Sequence, residues 1–304
     1  MSWYAVENID KALEKSKEML FPFNWKTWTK FAVIALLAGG IGMPNMPGGS
    51  FPANTGTQAG QATQFSSMTG MASEASAMVF SALGAVLTLA LLSVIGLFLY
   101  LSSVFTFIFY QSVLEGEPRI VQGFKDNMGN GLRYLGFQIG WIILLFAMIA
   151  LVVGGFTVHA VVGAIALLAF IPGVLAWVFL RAFVHDFVLL KMIESGESLV
   201  SSLKTVWPDF KKEWKQVGLF YLLKIFLGIV IGISKLMLMV ALFLVLLVPF
   251  GILALIGSMI HSVVLGLVVV AGVICFFIGL VYLNVPFAVY MYSYITVNYQ
   301  DIMS

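Results

Sequence analysis

Charge is what this chain has least of. Asp, Glu, Lys and Arg make up 10% of its 304 residues, whereas a soluble domain carries about 25%. A water-facing surface cannot be assembled from so few charges, which excludes a soluble enzyme. Cysteine is scarcer still. Cys275 stands alone in an apolar run, so neither an intramolecular disulfide nor a CxxC metal knuckle can form. With 16 basic residues against 14 acidic ones there is no excess charge for a polyanion, and no nucleic-acid partner is expected. No cleavable leader is expected either, because the first apolar run begins only near Phe31, after a polar stretch with several lysines.

Catalytic signatures are missing too. There is no HExxH, no phosphate-binding glycine loop and no paired Asp motif inside an apolar run. Ser258 and His261 are three apart, and Ser234 adjoins Lys235. Neither pair has a context that supplies an oxyanion hole, and adjacent residues on a helix point in different directions. The chain reads as non-enzymatic, with no cofactor and no metal site. Met43 with Met46 and Met68 with Met71 offer soft thioethers of the kind that hold Cu(I), but apolar filling is the simpler reading of methionine. His159 and His261 fall in turns, without the carboxylate or thiolate that would close a zinc site.

What the chain does contain is apolar residues, 61% of the total with a mean hydropathy of +1.03. They come in continuous runs of the length that crosses a bilayer as a helix, about 20 residues, rather than in the alternation of a barrel. The pattern predicts an all-α integral membrane protein with six transmembrane helices, over 25–43, 77–114, 134–155, 161–193, 216–248 and 263–299. Pro172 is expected to kink the fourth. Pro249 and Gly251 are expected to end the fifth, leaving 249–262 as a loop or re-entrant piece, with a seventh span as the alternative. The stretch 44–76, rich in Gly, Ser, Thr, Pro and Gln, reads as an exposed outer loop.

The few cations are unevenly placed. Thirteen of the 16 lie before or in the opening turns of the first span, between the second and third, or from the last turn of the fourth to the start of the fifth. The segments 44–76, 156–160 and 249–262 contain none. By the positive-inside rule both termini are then cytoplasmic, in a multi-pass protein of the cell membrane.

A repeat organises the chain. Residues 13–42 align without a gap to 199–228, with eight identities in thirty positions, among them Pro22/Pro208, Lys26/Lys212 and Trp28/Trp214. A weaker match pairs FIFYQSVLEGE at 107–117 with FVLLKMIESGE at 187–197. The implied plan is one membrane domain, 1–304, of three pseudo-repeated hairpins (1–116, 117–196 and 197–304), with amphipathic interfacial helices at their entrances.

Ionisable residues inside spans are the first candidates for a site, here Arg181, His185, Asp186 and Lys224. Arg181 and His185, four apart, share a helix face, and Asp186 is near enough to pair locally. About 20 residues separate Arg181 from the turn at His159, which puts it at the inner boundary, and Lys224 can snorkel there. A polar cluster tying hairpins together on the inner side is the expected role, and a solute or proton path the alternative. Lys26, Lys30, Lys211, Lys212 and Lys215 are candidate contacts for lipid head groups. Gly136 with Gly140, and Gly228 with Gly232, have the small-xxx-small spacing that lets helices approach closely, within the chain or in a homodimer. Trp25, Trp28, Trp141, Trp207 and Trp214 with Tyr134 read as an inner aromatic belt. The expected partners are membrane lipids and a second copy or another membrane protein. The expected role is a scaffold or accessory subunit, with a transporter or channel for a small or lipid-like solute as the alternative.

The segments YAVENIDKALEKSKEMLFPFNWKTWTKFAVIALLAGG, FIFYQSVLEGEPRI, FVHDFVLLKMIESGE and WPDFKKEWKQ resemble an archaeal family of multi-pass membrane proteins known only as a domain of unknown function. The resemblance covers essentially the whole chain. More distantly, the hairpin pattern is similar to the membrane domain attached to some glycerophosphodiester phosphodiesterases, whose catalytic barrel is absent here. The resemblance implies a membrane architecture in an archaeal setting and brings no catalytic residues. The chain departs from salt-adapted relatives in not being acid-rich.

Overall fold

A computed structural model describes residues 4–39 and 74–303, which are helical apart from short turns. In chain order the helices are α1 (Tyr4–Leu20), α2 (Trp25–Gly39), α3 (Glu74–Glu115), α4 (Ile120–Val158) and α5 (Ala160–Phe183). A π turn, Val184–Val188, joins α5 to α6 (Leu189–Ser195), followed by α7 (Leu199–Lys212), α8 (Trp214–Ile260) and α9 (Ser262–Met303). Among the described residues five helices are long and apolar enough to cross a membrane: Gly84–Glu115 of α3, α4, the continuous run Ala160–Ser195, α8 and α9.

Each long helix changes character along its length. On α3, positions 84–98 are exposed whereas 103–110 are all buried. On α9 no residue of 262–279 is buried, yet Val285, Ala288, Val289, Tyr294 and Ile295 are. The α5–α6 run is exposed along most of α5 and buried from Phe183 to Leu190, apart from half-exposed His185. Lipid places no penalty on exposed apolar surface, so the exposed halves need little mutual packing. The buried halves form a conventional core around Phe107, Phe183, Phe187 and Phe220, where full burial of such a side chain is worth about 1.5–3 kcal/mol.

α1 closes this core. Its buried residues Ala5, Asn8, Ala12, Ser16 and Leu20 form one stripe of mostly small side chains, which lets it lie close to α9. Tyr294 donates to the Ala5 carbonyl at 3.0 Å, Asn8 meets Asn298 at 3.3 Å, and Lys11 pairs with Asp301 at 3.2 Å. The two ends of the described chain therefore lie on the same side of the molecule.

The hairpin tips differ from the expected layout. α8 runs through Pro249 and Gly251 to Ile260, so 249–262 is neither a loop nor a re-entrant piece, and the helix is undivided. A proline loses one helical hydrogen bond, but opening the whole turn in an apolar setting would expose several backbone groups. The turn is at His261, whose backbone is extended and whose Nδ1 accepts from the Val263 N–H at 3.2 Å. His159 caps α5 the same way, accepting from the Val161 N–H at 3.2 Å. The two turn histidines are thus helix N-caps.

Three further features complete the layout. Pro172 lies inside α5, and an irregular turn follows at Val184–Val188, where the Leu189 N–H bonds to the Val184 carbonyl. Pro208 lies inside α7, and the break preceding α8 is at Glu213. Of the predicted first span, the described part is α2, 15 residues long. Trp25 stacks on Tyr282 at 5.1 Å, Phe31 meets Phe109, and the Ala38 carbonyl accepts from Ser102 and Thr106. Those partners lie at or near the buried inner ends of α3 and α9, so this part of α2 packs there and not beside their exposed halves.

Left-handed glycines follow two helices at the end of the molecule that holds the buried core, Gly116 (φ 75°) after α3 and Gly196 (φ 69°) after α6. They occupy matching places in the LEGE and ESGE segments. A side chain with a Cβ is strained in that conformation.

Candidate functional site

The π turn determines what faces the core. The turn, Val184–Val188, holds His185 and Asp186, and Arg181 lies just before it. Asp186 turns fully inward. Arg181 stays at the surface, its guanidinium 5.9 Å from the Trp177 ring centroid. Of the four residues expected to cluster, the structure brings together His185, Asp186 and Lys224 and leaves Arg181 out.

Asp186 is paired on both oxygens. Lys224 of α8 forms a buried salt bridge to Oδ2, and His185 Nδ1 lies 3.1 Å from Oδ1. A carboxylate only accepts, so the proton between them belongs to His185 Nδ1. The Tyr110 hydroxyl, 3.2 Å from that nitrogen, then donates to the His185 carbonyl at 3.1 Å. The Lys224 ammonium also lies 5.9 Å from both the Phe220 and Tyr221 ring centroids. Tyr292 packs edge-on against Tyr110 at 4.7 Å. The carboxylate thus links the π turn to α8, and His185 carries the cluster on to Tyr110 of α3 and, through it, to Tyr292 of α9. The sequence reading missed Tyr110, Tyr221 and Tyr292, because a phenol in an apolar run carries no signal of its partner.

This cluster lies about 26 residues, or about 39 Å, along the α5 run from its tip at Ala160. That length exceeds the thickness of a hydrocarbon layer, about 30 Å. Aromatic residues occur nearer that distance. Tyr282 is about 30 Å from the start of α9, and Trp177 about 26 Å from the start of α5. Trp177 stacks on Trp141 at 5.6 Å and donates to its carbonyl at 3.2 Å.

Lys26, Lys30, Lys211, Lys212 and Lys215 are all exposed. Lys211 lies 5.6 Å from the Trp207 ring and Lys215 5.8 Å from that of Trp214. Lys235, weighed in the sequence only as the neighbour of Ser234, bonds through its ammonium to Asn284 across the α8–α9 hairpin and sits 5.6 Å from the Phe287 ring. On α1, outside the long helices, half-buried Lys15 is held below the ordinary lysine range by desolvation, with Glu18 acting in the opposite direction.

The glycine placements differ from the sequence expectation. A Cβ at Gly136, Gly140 or Gly228 would meet nothing within 4 Å, and Gly232 is half-exposed. Close helix approach occurs at Gly131, where a Cβ would lie 2.3 Å from Val104 Cγ2 and 3.0 Å from its Cα. Small-residue spacing marks a helix face on which close approach is allowed, but it does not say which face meets a neighbour. The Ser258 hydroxyl bonds to the Leu255 carbonyl and that of Ser234 to the Val230 carbonyl, each within its own helix. Met43, Met46, Met68 and Met71 lie outside the described residues.

The profile of a family described as "Family of unknown function (DUF7544)" matches residues 3–302, and the chain belongs to that family. No curated protein and no solved structure matches it.

Proposed function

We propose, from the premise of membership in this family of unknown function, that the chain is a non-enzymatic membrane scaffold or accessory subunit. Its inner helical head binds anionic lipid and membrane-protein partners. The observation that carries this reading is the basic and aromatic collar. Exposed Lys211, Lys212 and Lys215 are set among Trp207 and Trp214, and Lys26 and Lys30 beside Trp25. Anionic head groups attract such a collar at the cytoplasmic leaflet.

In this reading the aromatic level of Tyr282 and Trp177 is the inner membrane boundary, and both termini are cytoplasmic. The packing of α1 on the end of α9 supports placing both ends on one side, and the uneven cations make that side the cytoplasmic one. Chain ends on one side call for an even number of crossings, so the five long helices imply a sixth upstream of α3. The apolar run beginning at Phe31, which continues beyond the described residues, is the segment available for it. The similar segments around Gly116 and Gly196, together with the match of 13–42 to 199–228, favour three duplicated hairpins. The archaeal setting and the kinship with phosphodiesterase membrane domains rest on the sequence resemblance.

The test uses nanodiscs of mixed phosphatidylglycerol and phosphatidylcholine, with the lipid that remains on the released protein counted by mass spectrometry. Lys211→Gln/Lys212→Gln/Lys215→Gln should lower phosphatidylglycerol enrichment about fivefold or more. Unchanged enrichment would remove the lipid half of the proposal.

A transporter or channel is the second reading, favoured by Lys235, a lysine within an apolar hairpin whose hydrogen-bond partner is a neutral amide. Solute flux in proteoliposomes that disappears with Lys235→Met would favour it over the scaffold.

A further inference from the structure

We propose that the groove between α2 and the start of α4 is a specific binding site for the head group of one anionic phospholipid. The proposal deepens the lipid-binding reading and rests on it. The groove is shallow and open, with a volume of about 350 Å³, and is lined by Trp25, Lys26, Thr29, Lys30, Val33 and Ile120, its wall almost wholly apolar.

Lys26 and Lys30 are one turn apart on α2, so their ammonium groups share a face and repel each other. Both are exposed, and among the described residues neither has an acidic partner within 4 Å. The nearest acids in sequence to Ile120, Glu115 and Glu117, both pair with Arg119, at 3.8 Å and 3.4 Å. An anion between the two lysines converts their mutual repulsion into two attractions. A zwitterionic choline head group would bring its own cation against them, which is why the site takes an anionic lipid.

The location favours a lipid over a soluble anion. Trp25, at one end of the groove, stacks on Tyr282 with ring planes 10° apart, and Tyr282 lies about 30 Å from the α9 tip. The phosphate level of a bilayer therefore coincides with the lysine pair. Thr29 bonds the Trp25 carbonyl at 2.8 Å and the Tyr282 hydroxyl at 2.8 Å, which anchors this turn of α2 in place. Trp25 and Val33, both exposed, provide the apolar wall that an acyl chain needs.

The full chain is delipidated in detergent and titrated separately with dioleoyl phosphatidic acid, dioleoyl phosphatidylcholine and inorganic phosphate, with adducts read by native mass spectrometry. A single saturable phosphatidic acid adduct is expected, well above phosphatidylcholine and undisturbed by inorganic phosphate. Lys26→Gln/Lys30→Gln should weaken it about 30-fold, from about fivefold per lysine. Val33→Trp, which fills the groove and leaves the charges in place, should also remove it. The collar variant Lys211→Gln/Lys212→Gln/Lys215→Gln should keep it. An adduct that survives both groove changes overturns the site while leaving the collar intact. Displacement by inorganic phosphate overturns the lipid assignment. Loss of the adduct in the groove variants, together with nanodisc enrichment unaffected by the collar variant, keeps this site and sinks the collar.

Discussion

Lys224→Met, made alone, should lower the stability of the folded chain by about 3–5 kcal/mol, because it strands the carboxylate of Asp186 in the core. Asp186 is fully buried and Lys224 nearly so, and His185 supplies only a shared proton at 3.1 Å to the other oxygen. Asp186→Asn alone should also be costly, since it leaves the ammonium of Lys224 against the Phe220 and Tyr221 rings without a counter-charge. Combining the two as Asp186→Leu/Lys224→Met should recover most of the loss, as replacing a whole buried pair by apolar groups is often close to neutral. Thermal unfolding in detergent, run as a double-mutant cycle, measures the coupling between the two positions. Additive losses would mean the pair is not the tie between α5–α6 and α8. Full recovery of stability with loss of a cellular phenotype would instead assign the pair a task beyond holding the helices together.

The second large effect is expected at Gly131. An added Cβ there lies 2.3 Å from a Val104 methyl and 3.0 Å from the Val104 Cα. The methyl can rotate away, but the Cα moves only with α3 itself. Gly131→Ala should therefore cost about 1–3 kcal/mol, and Gly131→Leu more. Gly136→Ala and Gly140→Ala on the same helix have open space around the new methyl. They should be neutral or stabilise by up to about 1 kcal/mol through helix propensity. Melting temperatures of these single variants, compared side by side, check the contrast. A destabilising Gly136→Ala that also shifts the oligomeric state would point to a homodimer face at this position.

The glycine contrast illustrates how far sequence can be read for such a chain. GFQIG at 136–140 has the spacing of a packing motif, and the GNGL stretch around Gly131 does not. The spacing is equally satisfied on a face directed to open space. The long helices were legible because an unbroken apolar run has few ways to satisfy its backbone other than as a helix. Pro249 misled for the same reason in reverse: a turn-forming residue in water is only a missing hydrogen bond within a helix among apolar neighbours. The turn came instead at His261, where a side chain could cap the next helix.

The site was half legible. His185, Asp186 and Lys224 stand out by charge within apolar runs, and burial of one charge calls for another. Arg181 stands out equally but falls outside, its guanidinium set against Trp177 while His185 and Lys224 take the Asp186 carboxylate. A π turn has no sequence signature comparable to a cap or a glycine turn. The tyrosines that enclose the pair come from α3, α8 and α9, at separations no local pattern encodes.

Scarcity of charge was the first thing the sequence offered, and by itself it determined the solvent: a chain with 10% charged residues builds long apolar helices for lipid. Those helices and the uneven placement of cations follow from composition and spacing, which act locally. Which charges would be buried together, which glycines would be approached and where α2 would rest were decided by the tertiary structure. Each depends on the rotation and depth of one helix relative to another, and those are set by contacts between residues far apart in the chain, such as Asp186 with Lys224 and Trp25 with Tyr282.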